Sequence, residues 1–297
     1  MAANAEDGVV PLLNPILAKE NEDHLYHFGI KRTTVDLPKT FGDVRFVCCG
    51  GSPARLTLYA EKFAKDLGLE VGKNLSQTDR YVLYKTGPVL WISHGIGAAS
   101  LSIMLVETIK LLHYANAKNV TFIRLGTSGG LGVPPGTVVI SNGAVNGEVQ
   151  EFHIQYIRGK KVLRPAIFDE QLWNDLYNLG KELNMPVATG KTMCADDFYE
   201  GQSRLDGAFC DYTEKDKFDF LNELHSKGVR NIEMEATCFS AMTHRAGIKA
   251  AIVCTTILDR MKGDQVQVEH SDYLDYEMRP YNLVSEYIKK QTGLGNK

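Results

Sequence analysis

The chain has 297 residues, 33 Lys+Arg against 36 Asp+Glu, a formal net charge of -3 and 44% hydrophobic residues. That composition belongs to a globular protein of one or two domains and excludes disorder over most of the length. Near-balanced charge excludes the strong field that holds long nucleic-acid polyanions or acidic lipid surfaces, so any bound anion must be met by a few local cations.

Met1 to Gly8 carries Glu6 and Asp7 in place of a basic segment, and no apolar stretch follows. No secretory signal is expected, and the cytoplasm is the expected compartment. The longest strongly apolar run, Ala250 to Leu258, is about half of what a membrane helix needs. Cys48, Cys49, Cys194, Cys210, Cys238 and Cys254 show neither Cys-x-x-Cys nor zinc-finger spacing, so most are expected to be small reduced core residues.

Val44 to Cys49 is β-branched and apolar, runs into Gly50-Gly51, and is followed by Leu56, Tyr59, Phe63 and Leu67 at helical spacing. This predicts strand, glycine turn, helix. Tyr81 to Lys85 and Val89 to Ser93 flank Thr86-Gly87-Pro88 as a hairpin, and Leu101 to Leu112 marks a long buried helix. Val120 to Leu125 reads as a strand ending in a second glycine turn. Strands follow at Thr137 to Val145 and Val187 to Met193, separated by a helix with Leu172, Leu176, Leu179 and Leu183 on one face. A helix over Glu214 to Ser226, a strand at Asn231 to Met234, a helix to Ala246, a strand at Ala250 to Thr255 and a last helix near Leu283 to Lys290 complete the order. The alternation predicts an α/β fold with a mixed or parallel sheet covered on both faces. No repeat or linker divides the sequence, so one domain over residues 1–297 is expected, with flexible tails at about 1–10 and 293–297.

In open α/β sheets ligands sit at the carboxyl ends of strands, and the turns there carry unusual residues. Gly50-Gly51-Ser52-Pro53-Ala54-Arg55 combines glycines that allow close backbone approach, a helix start that favours an anion, and an arginine able to grip it in a fork. It lacks the Gly-Lys-Ser/Thr of a nucleotide P-loop, and taken alone a Gly-Gly pair is most often a plain tight turn. Arg124-Leu125-Gly126-Thr127-Ser128-Gly129-Gly130 places a cation inside an apolar strand. Burial without a partner is costly, so Arg124 must meet a carboxylate or a bound anion. Gly95-Ile96-Gly97-Ala98-Ala99-Ser100 imitates a dinucleotide fingerprint without its last position or a well-placed acidic residue, and is read as close helix-to-sheet packing.

Phe198-Tyr199-Glu200-Gly201-Gln202-Ser203-Arg204 sets an amide and a guanidinium two positions apart. An amide both donates and accepts while arginine only donates, which suits an imide edge such as that of uracil, and Phe198 can stack on the ring. As an isolated loop the same segment reads as polar surface. Glu233-Met234-Glu235 places carboxylates where a strand gives way to a helix, suited to two sugar hydroxyls or simply to solvent.

Together these segments, with Thr78-Asp79-Arg80-Tyr81, resemble the first family of nucleoside phosphorylases, and within it the uridine-cleaving enzymes of animals. The resemblance runs from about Asn14 to Lys290 and implies a single-domain three-layer sandwich with a mixed central sheet flanked by helices. It implies a phosphate site from Gly51, Arg55, Arg124, Gly126 and Thr127, with Arg80 supplied across a subunit interface. Gln202 and Arg204 would read uracil and stabilise it as it leaves, with Phe198, Ile257 and Leu258 walling the base. Glu235 and the Met234 backbone would hold the ribose hydroxyls, and His27 of a neighbouring subunit the 5'-hydroxyl. Inorganic phosphate would be the co-substrate, with no cofactor and no metal, in at least a homodimer that binds neither nucleic-acid polymer nor membrane. Asn146 to Lys160 and Gly263 to Pro280 match no tight motif, and the latter is a candidate lid. The alternatives are a purine phosphorylase or nucleosidase of the same superfamily, for which Asp259 is a candidate carboxylate near a purine N7, and a non-catalytic nucleoside-binding paralogue. A nucleotide-dependent oxidoreductase rests on the defective Gly95 pattern alone.

Overall fold

The computed structural model describes residues 8–294; most of the two expected tails lies outside the described residues. By internal contacts the chain divides into two compact units: Met1–Arg124 with Met242–Ala250 and Ile288–Lys297, and Leu125–Ala241 with Ala251–Tyr287.

The first unit opens with a short antiparallel pair, β1 (His24–Leu25) and β2 (Ile30–Lys31), then α1 (Leu37–Phe41). β3 (Phe46–Gly50) lies parallel to β5 (Val89–Ser93) and to the start of β6 (Thr121–Gly130), while β4 (Leu83–Thr86) runs antiparallel to β5. Every residue of β3 and β5 is buried, which is why both read as continuous apolar runs with no alternation. Between them α2 (Pro53–Asp66) packs on β3, β4 and β5 with Leu56, Tyr59, Ala60, Phe63 and Ala64 buried. Phe63 meets Trp91 of β5 at 5.4 Å between ring centroids; burial of such a side chain contributes about 2 kcal/mol. α3 (Gly97–Tyr114) packs on α1 and β1.

In the second unit β7 (Val138–Val145) and β10 (Val187–Cys194) are parallel, and β11 (Val229–Glu233) joins β10 in parallel. β12 (Lys249–Asp259) runs antiparallel to β7, and β11 pairs antiparallel with the end of β6. β8 (Phe152–Ile157) and β9 (Lys160–Pro165) form a separate hairpin. α4 (Glu170–Glu182), capped by Asp169, packs on β7 and β10. α5 (Glu214–Ser226) starts at a Thr213/Asp216 capping box and packs on β11. α6 (Ala236–Arg245) and α7 (His270–Thr292) complete the chain.

Two expectations are corrected, and one segment that matched no tight motif holds a hairpin. The second glycine turn is strand: β6 continues through Gly130. A Cβ on Gly129 would lie 2.9 Å from Arg260 Cγ, and one on Gly130 2.9 Å from the Leu258 carbonyl oxygen, so these glycines serve close packing of neighbouring chain. The segment Asn146 to Lys160 holds most of the β8–β9 hairpin, which turns at Arg158 and Gly159, both at positive φ. The last helix begins at His270, well before Leu283, and contains Pro280.

Candidate active site

In the first unit, Cys49 of β3 stands in parallel register with Arg124 of β6, and Gly51 follows two residues beyond Cys49. A parallel pair delivers both to the same strand ends. Ser52 caps α2 by accepting the Arg55 N-H at 3.3 Å, and Pro53 occupies the first turn. A Cβ on Gly51 would sit 2.9 Å from the Gly95 carbonyl oxygen, so only glycine lets the turns after β3 and β5 meet. Gly95 and Gly97 both have positive φ, and α3 starts at Gly97; a Cβ on Gly97 would meet nothing within 4 Å and one on Gly95 only Ser100, so these glycines serve the backbone turn beside Gly51 and not the close helix-to-sheet packing expected of them. Arg124 is buried and Arg55 half-buried.

His27 and the turn at Thr78 to Arg80 come together: the Thr78 hydroxyl donates to the His27 carbonyl at 2.5 Å. The Arg80 side chain is 72% exposed and that of His27 38%. Glu107, buried on α3, accepts the backbone N-H groups of His27 and Phe28 and holds His27 Nδ1 at 2.7 Å. A carboxylate only accepts, so Nδ1 carries the proton toward Glu107.

In the second unit the loop after β10 carries Phe198, Gln202 and Arg204. Asp197 shapes it by accepting the N-H groups of Tyr199 and Gly201, each at 2.6 Å, and Ser203 turns the chain at φ 52°. Arg204 stacks its guanidinium 4.5 Å from the Phe198 ring centroid. Its Nε and Nη2 donate to the two oxygens of Asp206 at 2.8 and 2.6 Å. The Arg204 bonds hold the Asp206 carboxyl below the usual carboxylate range. Two of the five guanidinium N-H groups are thereby used. Gln202 is buried, and its side-chain oxygen accepts from Arg260 Nη1 at 3.3 Å.

Gly126, buried, and Thr127, half-buried, follow Arg124 on β6. Ile257 is half-buried and Leu258 buried on β12. The two neighbouring acids separate in role. Glu233 caps α6, accepting the N-H groups of Glu235 and Ala236 at 3.1 and 2.7 Å, while Glu235 is buried beside a half-buried Met234. Asp259, the candidate partner of a purine N7, accepts from the Gly132 and Met261 N-H groups, so it serves the backbone. The candidate lid is tied down at its start, because Asp264 accepts the Leu205 N-H and Gln265 donates to Asp206. Five cysteines are buried and Cys210 is exposed, all unbridged.

Asp206, Arg260, Asp264 and Glu107 were not singled out from sequence. Arg260 was within reach: it is a cation closing an apolar strand, the same oddity that draws attention to Arg124.

Fold and side chains together define a class, mixed α/β proteins that gather cations, glycines and hydroxyls at strand ends. Within that class the chain belongs to the phosphorylase superfamily, whose family model matches residues 45–289. It is 59% identical to the "Uridine and thymidine phosphorylase" of Caenorhabditis elegans over 93% of this chain and 94% of that one. It is 48% identical to mouse "Uridine phosphorylase 1", covering 97% and 94% of the two chains. Among solved structures, uridine phosphorylase from Schistosoma mansoni in complex with thymidine aligns at a TM-score of 0.93 and 41% identity over 97% of this chain and all of that one.

Proposed function

We infer that this chain is a uridine phosphorylase, a pentosyltransferase that converts uridine and phosphate reversibly into uracil and ribose 1-phosphate. The observation that carries the reading is the loop of Gln202 and Arg204, a buried amide held by the buried Arg260 and a buried guanidinium held by Asp206. This pair suits the two carbonyls of a pyrimidine-2,4-dione.

The C1'–N1 bond breaks with its electron pair passing to N1 and spreading over the uracil carbonyl oxygens. Arg204, aided by Gln202, stabilises that charge with preorganised donors, and the released anion takes a proton from water. A phosphate oxygen then forms the new bond to C1'. Gly51, Arg55, Arg124, Gly126 and Thr127 hold the phosphate, and their fixed cations position it for attack. Phe198, Ile257 and Leu258 wall the base, while Glu235 and the Met234 backbone take the ribose hydroxyls.

The working unit is at least a homodimer of single-domain chains, with His27 and Arg80 completing the partner's site. Support comes from the exposure of both side chains and from the large exposed apolar residues Tyr26, Ile96 and Val106 of the same unit. The cytoplasm is the compartment; no helix among the described residues is long and apolar enough to cross a membrane. The deciding experiment is an ultraviolet assay of uridine and thymidine with and without phosphate. Phosphate-dependent release of the pyrimidine base is expected, and base release without phosphate would make the protein a nucleosidase.

A further inference from the structure

Asp264 gathers four donors onto one carboxylate. Oδ1 faces Arg260 Nε at 3.1 Å and Nη2 at 2.9 Å. Oδ2 accepts the Leu205 backbone N-H at 3.0 Å and Lys217 Nζ at 2.8 Å. The side chains of Arg260, Lys217 and Asp264 are 1%, 3% and 8% exposed. Burial alone would push the Asp264 carboxyl up, yet the Leu205 N-H and the two cations outweigh it and hold it below the usual range.

One arm reaches Gln202 and another the residue that follows Arg204. Arg260 Nη1 donates to the Gln202 side-chain oxygen at 3.3 Å and Nη2 to its main-chain oxygen at 2.8 Å. Arginine has no acceptor, so the carboxamide must turn its oxygen to Arg260 and offer its NH2 edge elsewhere. The other arm fixes the backbone at Leu205, next to Arg204. Lys217 touches neither reader; it neutralises Asp264 and lies 5.3 Å from the Phe218 ring centroid.

We propose that Asp264 is a positioning residue that sets both uracil readers, Gln202 through Arg260 and Arg204 through the Leu205 N-H, and thereby favours rings with carbonyls over rings with an exocyclic amine. The proposal rests on the uridine phosphorylase reading and adds the element that orients its base site.

Asp264→Asn keeps the shape but replaces one acceptor oxygen with a donor that opposes either Arg260 or Leu205 and Lys217. Uridine KM is expected to rise about tenfold or more, the usual scale for a charged hydrogen bond, with phosphate KM unchanged. Lys217→Met, which reaches the readers only through Asp264, is expected to shift uridine KM in the same direction by about threefold. It carries the test if Asp264→Asn does not fold. An unchanged uridine KM in the folded variant, or an equal rise in both KM values, overturns the proposal. Wild-type phosphorolysis measured alongside tests the underlying reading separately. A crystal structure of whichever variant folds decides the positioning independently of any activity: displaced Gln202 and Arg204 side chains support it, and unmoved ones refute it.

Discussion

Arg204→Ala isolates the step on which the mechanism turns. The side chain is 10% exposed and makes two bonds to Asp206 and a stack on Phe198. It is therefore fixed before substrate arrives, and fixed donors stabilise developing charge without reorganising. Loss of one such donor costs about 10²- to 10³-fold in turnover. The ground state gains less from Arg204 than the departing anion does, so kcat should fall further than uridine KM rises. Truncation also leaves Asp206 with the Gln265 contact, at a stability cost of about 1 to 2 kcal/mol; circular dichroism melting separates that from chemistry. Steady-state ultraviolet kinetics at saturating phosphate make the measurement. Near-normal turnover in a folded Arg204→Ala protein would refute the leaving-group role and move charge stabilisation to another group.

Gly51→Ala drives a methyl to 2.9 Å from the Gly95 carbonyl oxygen, a backbone atom that cannot swing aside. It should destabilise the fold by about 1 to 3 kcal/mol and raise phosphate KM; an unchanged phosphate KM would detach this turn from the anion. Arg80→Ala and Arg204→Ala, each inactive alone, should recover up to about a quarter of wild-type activity after subunit exchange, since half of the mixed dimer's sites are intact in a shared-site dimer. No recovery after confirmed exchange would place each site within one subunit. The folded carboxyls of Asp206 and Asp264 both lie below their unfolded values, so their stabilisation is complete above about pH 5 and fades as pH falls through the folded values. Melting temperature followed toward pH 3 should therefore fall less steeply in Asp264→Asn than in wild type, and parallel curves would contradict that linkage.

The elements legible in the sequence were those whose period or punctuation has one cause. Leu56, Tyr59 and Phe63 announce α2 because a helix half-covered by a sheet must repeat its apolar face, and β3 reads as an apolar run because both its faces are covered. The proposed site stands out in the sequence where a residue contradicts its surroundings: an arginine in an apolar strand, an amide two residues from a guanidinium. Glycine misled because it has two uses. Gly126 to Gly130 resembles a turn, yet Arg260 and Leu258 need its missing side chains to pack against β6. The last helix, expected near Leu283, begins at His270 and carries Pro280 within it.

What sequence could not reveal was pairing across distance. Asp264 lies 59 residues from Leu205 and 47 from Lys217, and nothing local marks it as different from any loop aspartate. The readers themselves are ordinary polar residues until an acceptor-only carboxylate and a donor-only guanidinium fix which edge each presents. Chemistry that depends on residue type is therefore readable from the chain, while chemistry that depends on a side chain's orientation is set by partners only the fold supplies. The proposed base site would need both, so Asp264 and Arg260 enter that proposal alongside Gln202 and Arg204.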